Sequence, residues 1–361
     1  MLKKLLLVSN KVIGKPSGGR EMLSLINRNI LKKLYSENIL FFDLDKSISN
    51  SNSIIEKIFY CYIDGLSSKV VIDILDVIKR NNVLVVFVDG SNLGGFISLL
   101  KQTLPHVEVI TFFHNVESRF FIGSLYLRKS VHALGVLLVN FFAERMAVKF
   151  SDRLVCLSLR DSSLLKKFYG KGATHISAMA LTDIFKDSLI RSESNLNSKY
   201  ALFVGSNFYA NTQGISWFVQ NVVPHINIKI CIVGKGFDLL RPNLDIPGKV
   251  EVIGAVESLA DWYRNAQFVI APIFDGSGMK TKVAEAMMFG KKVIGTPEAF
   301  SGYEQFVSDA GWCCNSADDF VSAILEAQQS IKSLFYQEIR NIYIDNYSMD
   351  AATMRFKEIL F

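Results

Sequence analysis

Short apolar runs, most without alternation of apolar and polar positions, recur along this chain between segments of helical period. In the first half they fall at 4–8, 39–42, 83–88, 107–113 and 153–157; in the second at 200–204, 229–233, 250–253, 268–271 and 292–295. Unbroken runs of Val, Ile and Leu mark strands buried on both faces of a parallel sheet. Helical period between them, at 21–33, 215–223, 259–264 and 280–289, completes a strand–helix alternation. That alternation predicts a doubly wound α/β architecture. The pattern lapses once, over 184–198, where Ser and Asn dominate and periodicity is weak; this reads as a linker. It divides the chain into Rossmann-like domains at 1–183 and 199–344. Ligands of such sheets bind at the carboxyl ends of the strands, so a cleft between the domains is the expected site.

One stretch carries concentrated chemistry. In "APIFDGSGMKTKVAEAMMFGKKVIGTP" (271–297) an apolar run breaks into Gly276-Ser277-Gly278, followed by Met279, Lys280 and Lys282 at the start of a helix. A helix N-terminus carries partial positive charge, so lysines there are unfavourable unless something negative joins them. Glycine amides ahead of a helix form an anion nest. The loop is not a Walker A motif: Met279 stands where Gly should precede the lysine, and Asp275 where the earlier Gly should be. Glu285 reads in two ways, as a surface partner of Lys282 at i, i+3 or as a carboxylate among small apolar residues awaiting a ligand's hydroxyls. Gly290 fits as the helix stop.

Composition narrows the field. With 361 residues, 50% hydrophobic and 20% charged, the chain is globular and long enough for two cores. A net charge of +6 suits an anionic ligand or membrane surface and is too small to argue for nucleic acid. The five cysteines have no C-x-x-C spacing and are odd in number, as in a reduced, cytoplasmic protein. The five histidines are scattered and predict no metal centre. "MLKKLLLVSN" is too short in its apolar part for a signal peptide and reads as a first strand. No run of about 18 uncharged apolar residues predicts a membrane span.

The order strand, Gly-rich loop, Lys, helix with Glu, Gly and strand resembles the nucleotide-sugar site of glycosyltransferase family 4, whose fold is GT-B. The likeness runs nearly the whole length. "KPSGGREMLSLINRNILKKL" resembles the family's first loop and helix, and "FFHNVESRFF" the segment with the active-site histidine. "ERMAVKFSDRLVCLSLRDSSLLKKFYG" is similar to the approach to the interdomain region. "LFVGSNFYANTQGISWFVQNVVPHI" and "VIGAVESLADWYRNAQFVIAP" are similar to the start and base-binding part of the second domain. "NYSMDAATMRFKEIL" resembles the closing helix that returns to the first domain, here 345–361. The resemblance implies retaining transfer of a sugar from a nucleoside diphosphate, UDP being expected, with no cofactor and no obligatory metal. Lys280 and the 276–278 amides, with Met279, would hold the diphosphate, and Glu285 the ribose. Gly205, Ser206 and Val256 would line the donor site. Gly18 and Gly19 would allow close backbone approach to donor or acceptor, and His114 would stand near the sugar. The implied setting is a bacterial surface glycan, such as a capsule or O-antigen, extended on a glycan or lipid-linked acceptor. The family's commoner pattern has two glutamates seven residues apart; here Ser277 holds the first position. Ser206-Asn207 also replaces a basic residue often found after "FVG".

Other readings remain open. Asp43-x-Asp45 has the form of a metal-binding carboxylate pair. The segment 128–150 mixes bulky apolar residues with Arg and Lys: either a buried helix, or a face for an anionic leaflet or lipid-linked acceptor. A nucleotide-sugar 2-epimerase and a catalytically silent binding subunit share the expected fold.

Overall fold

The computed structural model describes residues 3–12, 14, 18–47, 54–128, 130–185, 200–276 and 278–361, with 124 and 126–128 by backbone alone. The chain forms two compact units, residues 1–180 with 352–361, and residues 181–351. Each is built on a six-stranded parallel sheet.

The sheet of the first unit comprises β1 (Leu5–Asn10), β2 (Ile39–Leu44), β3 (Val85–Asp89), β4 (Glu108–Phe113), β5 (Arg153–Cys156) and β6 (His175–Ile176), in the order β2-β1-β3-β4-β5-β6. Leu5 to Val8 and Val86 to Val88 are at most 1% exposed, which explains why β1 and β3 show no alternation. Helices cover both faces. The helix Gly94–Thr103 lies so close to the helix Val131–Phe150 that a Cβ on Gly94 would stand 1.8 Å from the Ala143 carbonyl oxygen. Only glycine allows that approach.

The second sheet comprises β7 (Tyr200–Val204), β8 (Lys229–Val233), β9 (Val250–Gly254), β10 (Phe268–Ala271), β11 (Val293–Gly295) and β12 (Gly311–Cys313), in the order β12-β11-β10-β7-β8-β9. All ten strands expected from the apolar runs are present. β6 and β12 are additional; at two and three residues on sheet edges, they are too short to stand out as apolar runs. The helix expected from 215 begins earlier, as Tyr209–Asn221. Its first turn, "YANT", is polar and small, and Thr212 Oγ1 donates to Asn207 Oδ1 at 2.9 Å.

The unit boundaries differ from 183 and 345. Asp183 pairs with Arg340 at 2.7 Å, and Phe185 stacks on Phe335 with ring centroids 5.3 Å apart, so the chain joins the second unit from Leu181. Residues 186–198 of the expected linker lie outside the described residues. Tyr347 packs on Tyr303, with centroids 5.0 Å apart, and remains in the second unit. The return comes at Ala352, within the helix Met349–Leu360. There Phe356 stacks on Phe87 at 5.8 Å, and Arg355 donates to the Ala178 carbonyl at 3.0 Å.

The helix Val131–Phe150 is long and apolar enough to cross a membrane by length and composition only, although Glu144, Arg145 and Lys149 interrupt it as the sequence showed. Only 28% of its most apolar window is buried, so it is not a fully buried core helix. Ala143 and Ala147 face inward, while Val131, Leu134, Leu138 and Phe142 are exposed.

Gly94→Ala should destabilise the protein by about 2 kcal/mol or more in urea unfolding, since backbone on both helices must shift. Gly135→Ala in the facing helix meets nothing within 4 Å and should stabilise it by about 0.5–1 kcal/mol. Equal effects at the two positions would refute the close-approach account.

Candidate functional site

In the second sheet β8 and β9 lie to one side of β7, and β10 to β12 to the other, so β7 and β10 flank the point where the winding reverses. Open α/β sheets bind ligands there, beyond the strands' carboxyl ends. The loop after β7 begins with Gly205 and Ser206, and the loop after β10 contains 272–280. Glycines allow close approach here, between the loops after β7 and β8 and between the helix Tyr209–Asn221 and the loop after β10. A Cβ on Gly234 would stand 1.6 Å from Gly205 O, and one on Gly214 would stand 1.7 Å from Pro272 O. Ser206 O accepts from Asn211 Nδ2 at 3.0 Å. Gly254, at φ +83, ends β9, and Val256 follows, half-buried.

Lys280 is the N-cap of the helix Thr281–Met288. Its ammonium donates to Glu298 Oε1 and to the Gly278 carbonyl, both at 2.8 Å, and Tyr303 OH donates to the Lys280 carbonyl at 3.0 Å. Gly276 and Gly278 have φ of +138 and +64, a backbone that favours glycine. The Gly276 amide donates to Asp275 Oδ1 at 2.8 Å, and Asp275 Oδ2 accepts from Tyr209 OH at 3.2 Å. Met279 is buried against Gly302. Ser277 lies outside the described residues. The sequence argument held that Lys280 gains nothing without an outside anion; that premise fails, because Glu298 already offsets its charge. A diphosphate at this loop has to share Lys280 with Glu298 and draw the Gly276 amide away from Asp275.

One turn further, Glu285 is half-buried, and Tyr263 OH donates to its Oε2 at 2.6 Å. Tyr263 is itself fixed by stacking on Phe289, with centroids 5.3 Å apart and planes 7° from parallel. Burial pushes the Glu285 carboxyl up from its usual range, against the Tyr263 hydrogen bond and the charge of Lys282. Gly290, at φ +59, follows the helix as its stop. Lys282 is no surface residue. It is 6% exposed, donates to Asn211 Oδ1 at 2.8 Å and lies 4.3 Å from the centre of the Phe203 ring. Burial brings its ammonium down to about 7, with Lys280 adding to the effect and Glu285 opposing it. Sequence spacing picked out Lys280 and Glu285. It could not find Glu298, Tyr263, Tyr303 or Asn211, which arrive from other elements.

In the first unit β1 and β3 flank the reversal of winding. Gly18 is the N-cap of the helix Gly19–Tyr35 with an extended backbone (φ −165), and a Cβ on Gly18 or Gly19 meets nothing within 4 Å. Neither glycine is required by a tight turn. Arg20 follows, pairing with Asp64 at 2.7 Å and standing 3.6 Å from Glu117. Asp64 also accepts from Asn10 (2.7 Å) and Asn92 (2.8 Å). Glu144 is fully buried and accepts from Ser91 Oγ and from the Glu117 and Ser118 amides at 2.9–3.1 Å. Burial and the charge of Glu144 push Glu117 up to about 7, although Arg20 opposes them. His114, 6% exposed, follows β4 with Nε2 3.1 Å from Asp89 Oδ1. Asp89 lies below the usual range despite its burial, because His114 and Asn27 favour its charged form. Asp43 pairs with Arg28, and Asp45 accepts from Ser47, so each carboxylate has its own protein partner. Among the described residues no cluster of three or more His, Cys, Asp and Glu could hold a metal ion.

Lys282 provides a test of this packing. Its folded value lies below the ordinary lysine value, so the unfolded chain binds more protons between about pH 7 and 10.5, and stability rises with pH across that window. Lys282→Met removes this dependence. Its stability relative to the parent should therefore be highest at pH 6 and decline by pH 9.5 in urea unfolding. Parallel pH curves for the two proteins would refute the assignment.

Comparisons with known proteins agree with this architecture. Residues 198–330 match the family model described as Glycosyl transferases group 1. No curated protein sequence matches. Among solved structures, Anabaena Alr3699/HepE in complex with UDP is similar at 13% identity and TM-score 0.67, covering 99% of both chains. Sucrose-phosphate synthase from Thermosynechococcus elongatus is similar at 14% identity and TM-score 0.72, covering 99% of this chain and 98% of that one. The lipopolysaccharide outer core galactosyltransferase WaaB in its apo form has 15% identity and TM-score 0.66, with 98% of each chain covered. Residues 198–330 of the second unit thus match the glycosyl transferases group 1 model, and the two-unit α/β fold of the chain is similar to the GT-B fold of these solved structures.

Proposed function

We propose that this chain is a retaining glycosyltransferase of family 4, moving a sugar from a nucleoside diphosphate, UDP by preference, to a glycan or lipid-linked acceptor of a bacterial surface polysaccharide. The observation that carries the reading is Lys280 at the N-terminus of the helix 281–288, beside the switch point of the second sheet, with Glu285 on the same helix. The match of that unit to the glycosyl transferases group 1 model supports it, as do UDP and UDP-glucose in the HepE structures.

In this reading Lys280 and the glycine amides bind the diphosphate, and Glu285, oriented by Tyr263, accepts hydrogen bonds from the ribose hydroxyls. Gly205, Ser206 and Val256 line the donor site; Gly18, Gly19 and His114 are the first unit's own candidate residues. The bond between the sugar's anomeric carbon and the β-phosphate oxygen breaks, the acceptor oxygen takes its place on the same face, and the acceptor proton passes to the departing diphosphate. Lys280 then acts chiefly on charge that grows as the diphosphate leaves, the kind of interaction that accelerates a step. No obligatory metal is invoked. A cytoplasmic protein, peripheral on the inner membrane, suits such donors and acceptors.

A thermal-shift panel of UDP, GDP, ADP, TDP and CMP should give its largest rise with UDP, since a ligand that binds only the folded state stabilises it. Lys280→Ala should lower kcat/KM by about a hundredfold or more, and near-normal turnover would remove Lys280 from the mechanism. NMR of the donor alone should show no epimer; conversion without acceptor would replace transfer with epimerisation.

A further inference from the structure

Lys282 carries an amine into the interior of the second unit, where its Nζ lies 4.3 Å from the centre of the Phe203 ring on β7. A methionine would fill the same space without taking an amine out of water, so packing alone does not account for a lysine here. Among the described residues its one hydrogen-bond partner is Asn211, whose Oδ1 accepts at 2.8 Å. The other end of that amide, Nδ2, donates to the Ser206 carbonyl at 3.0 Å. Gly205 makes room for this arrangement, since a Cβ there would stand 2.9 Å from Cγ and Nδ2 of Asn211.

An asparagine amide has an acceptor at one end and a donor at the other. Lys282 Nζ, as a donor, selects Oδ1, which leaves Nδ2 for the Ser206 carbonyl. Turned over, the amide would set two acceptors against each other. The Ser206 carbonyl is held from a second side by the Phe208 amide at 2.7 Å. The amides of Gly205 and Asn207 are committed as well, to Val233 O at 3.0 Å and Lys235 O at 2.9 Å. The amide of Ser206, an exposed residue, has no partner among the described residues. This loop adjoins the one after β10, because Tyr209 OH donates to Asp275 Oδ2 at 3.2 Å. A fixed amide hydrogen on one side of the switch point therefore joins Lys280 on the other as a donor to an anion.

We propose that Lys282 and Asn211 act as one positioning pair, which fixes the Ser206 peptide so that its N–H meets a phosphate oxygen of the nucleoside diphosphate. That the pair fixes the loop stands on the contacts alone; that the loop meets the diphosphate rests on the sugar-transfer reading. Two measurements on the full chain separate them. In hydrogen exchange without ligand, Lys282→Met and Asn211→Ala should each speed the bonded amides of Gly205, Asn207 and Phe208 about tenfold relative to β8, which reports overall stability. In calorimetric titration each variant should weaken UDP about tenfold. The double variant should bind no worse than the weaker single one, and uridine binding should not change. Lys282→Gln, which keeps a donor, should recover part of the loss in both measurements. Unchanged relative exchange in the loop, or UDP losses that multiply in the double variant, would overturn the pair. Equal losses for UDP and uridine would overturn the phosphate contact. Loop exchange that responds as expected in a protein that binds no UDP would sustain the pair and sink the sugar-transfer reading, with its phosphate contact.

Discussion

A parallel strand has to be covered on both faces, and every strand pair in the two sheets of this protein is parallel. Both faces of each sheet are therefore occupied by packing. Leu5 to Val8 in one sheet and Ala201 to Phe203 in the other are at most 1% exposed and bring no polar chemistry. What remains for chemistry is the rim, above all the gap between β1 and β3 and between β7 and β10, where successive crossovers part in opposite directions. The charged clusters around Arg20 and Lys280 lie at these rims for that reason. Glycines at 205 and 234 follow from the same constraint, because the loops leaving the adjacent strands β7 and β8 have to share the space.

Burial then sets the electrostatics of these rims. Lys282, over the Phe203 ring, and Glu117, between Arg20 and Glu144, are both brought to about 7 by loss of water, from opposite directions. Groups poised near neutrality in this way respond strongly to an arriving charge or hydroxyl. Lys280 differs. It keeps an ion partner in Glu298, so its ammonium is held in place at the helix terminus by the fold and its orientation does not depend on a ligand.

Ten strands were readable from apolar runs because a doubly covered strand has to be apolar throughout. The Gly276–Lys280 turn was readable because glycines of left-handed φ and a lysine at a helix start are a local device. His114 and Asp89 lie 25 positions apart in sequence, on neighbouring strand ends, and no spacing rule joins them. Lys282 looked like a second cation of the loop, since its letter is the same as that of Lys280. Its burial depends on Phe203 and Asn211, more than seventy positions earlier.

The sequence by itself determined the strand order along the chain, the two-unit α/β class and the glycine-lysine turn, because each is written in contiguous residues by hydrophobic burial or backbone conformation. Tertiary structure alone decided which carboxylates face which cations, Glu298 on Lys280 and Asp64 on Arg20, and that Tyr263 donates to Glu285. It also decided that the apolar helix 131–150 shows one side to a cavity and another to Gly94. Those pairings come from segments that only parallel crossovers bring to one rim, and pairwise electrostatics falls off too steeply with distance to be read from separation along the chain.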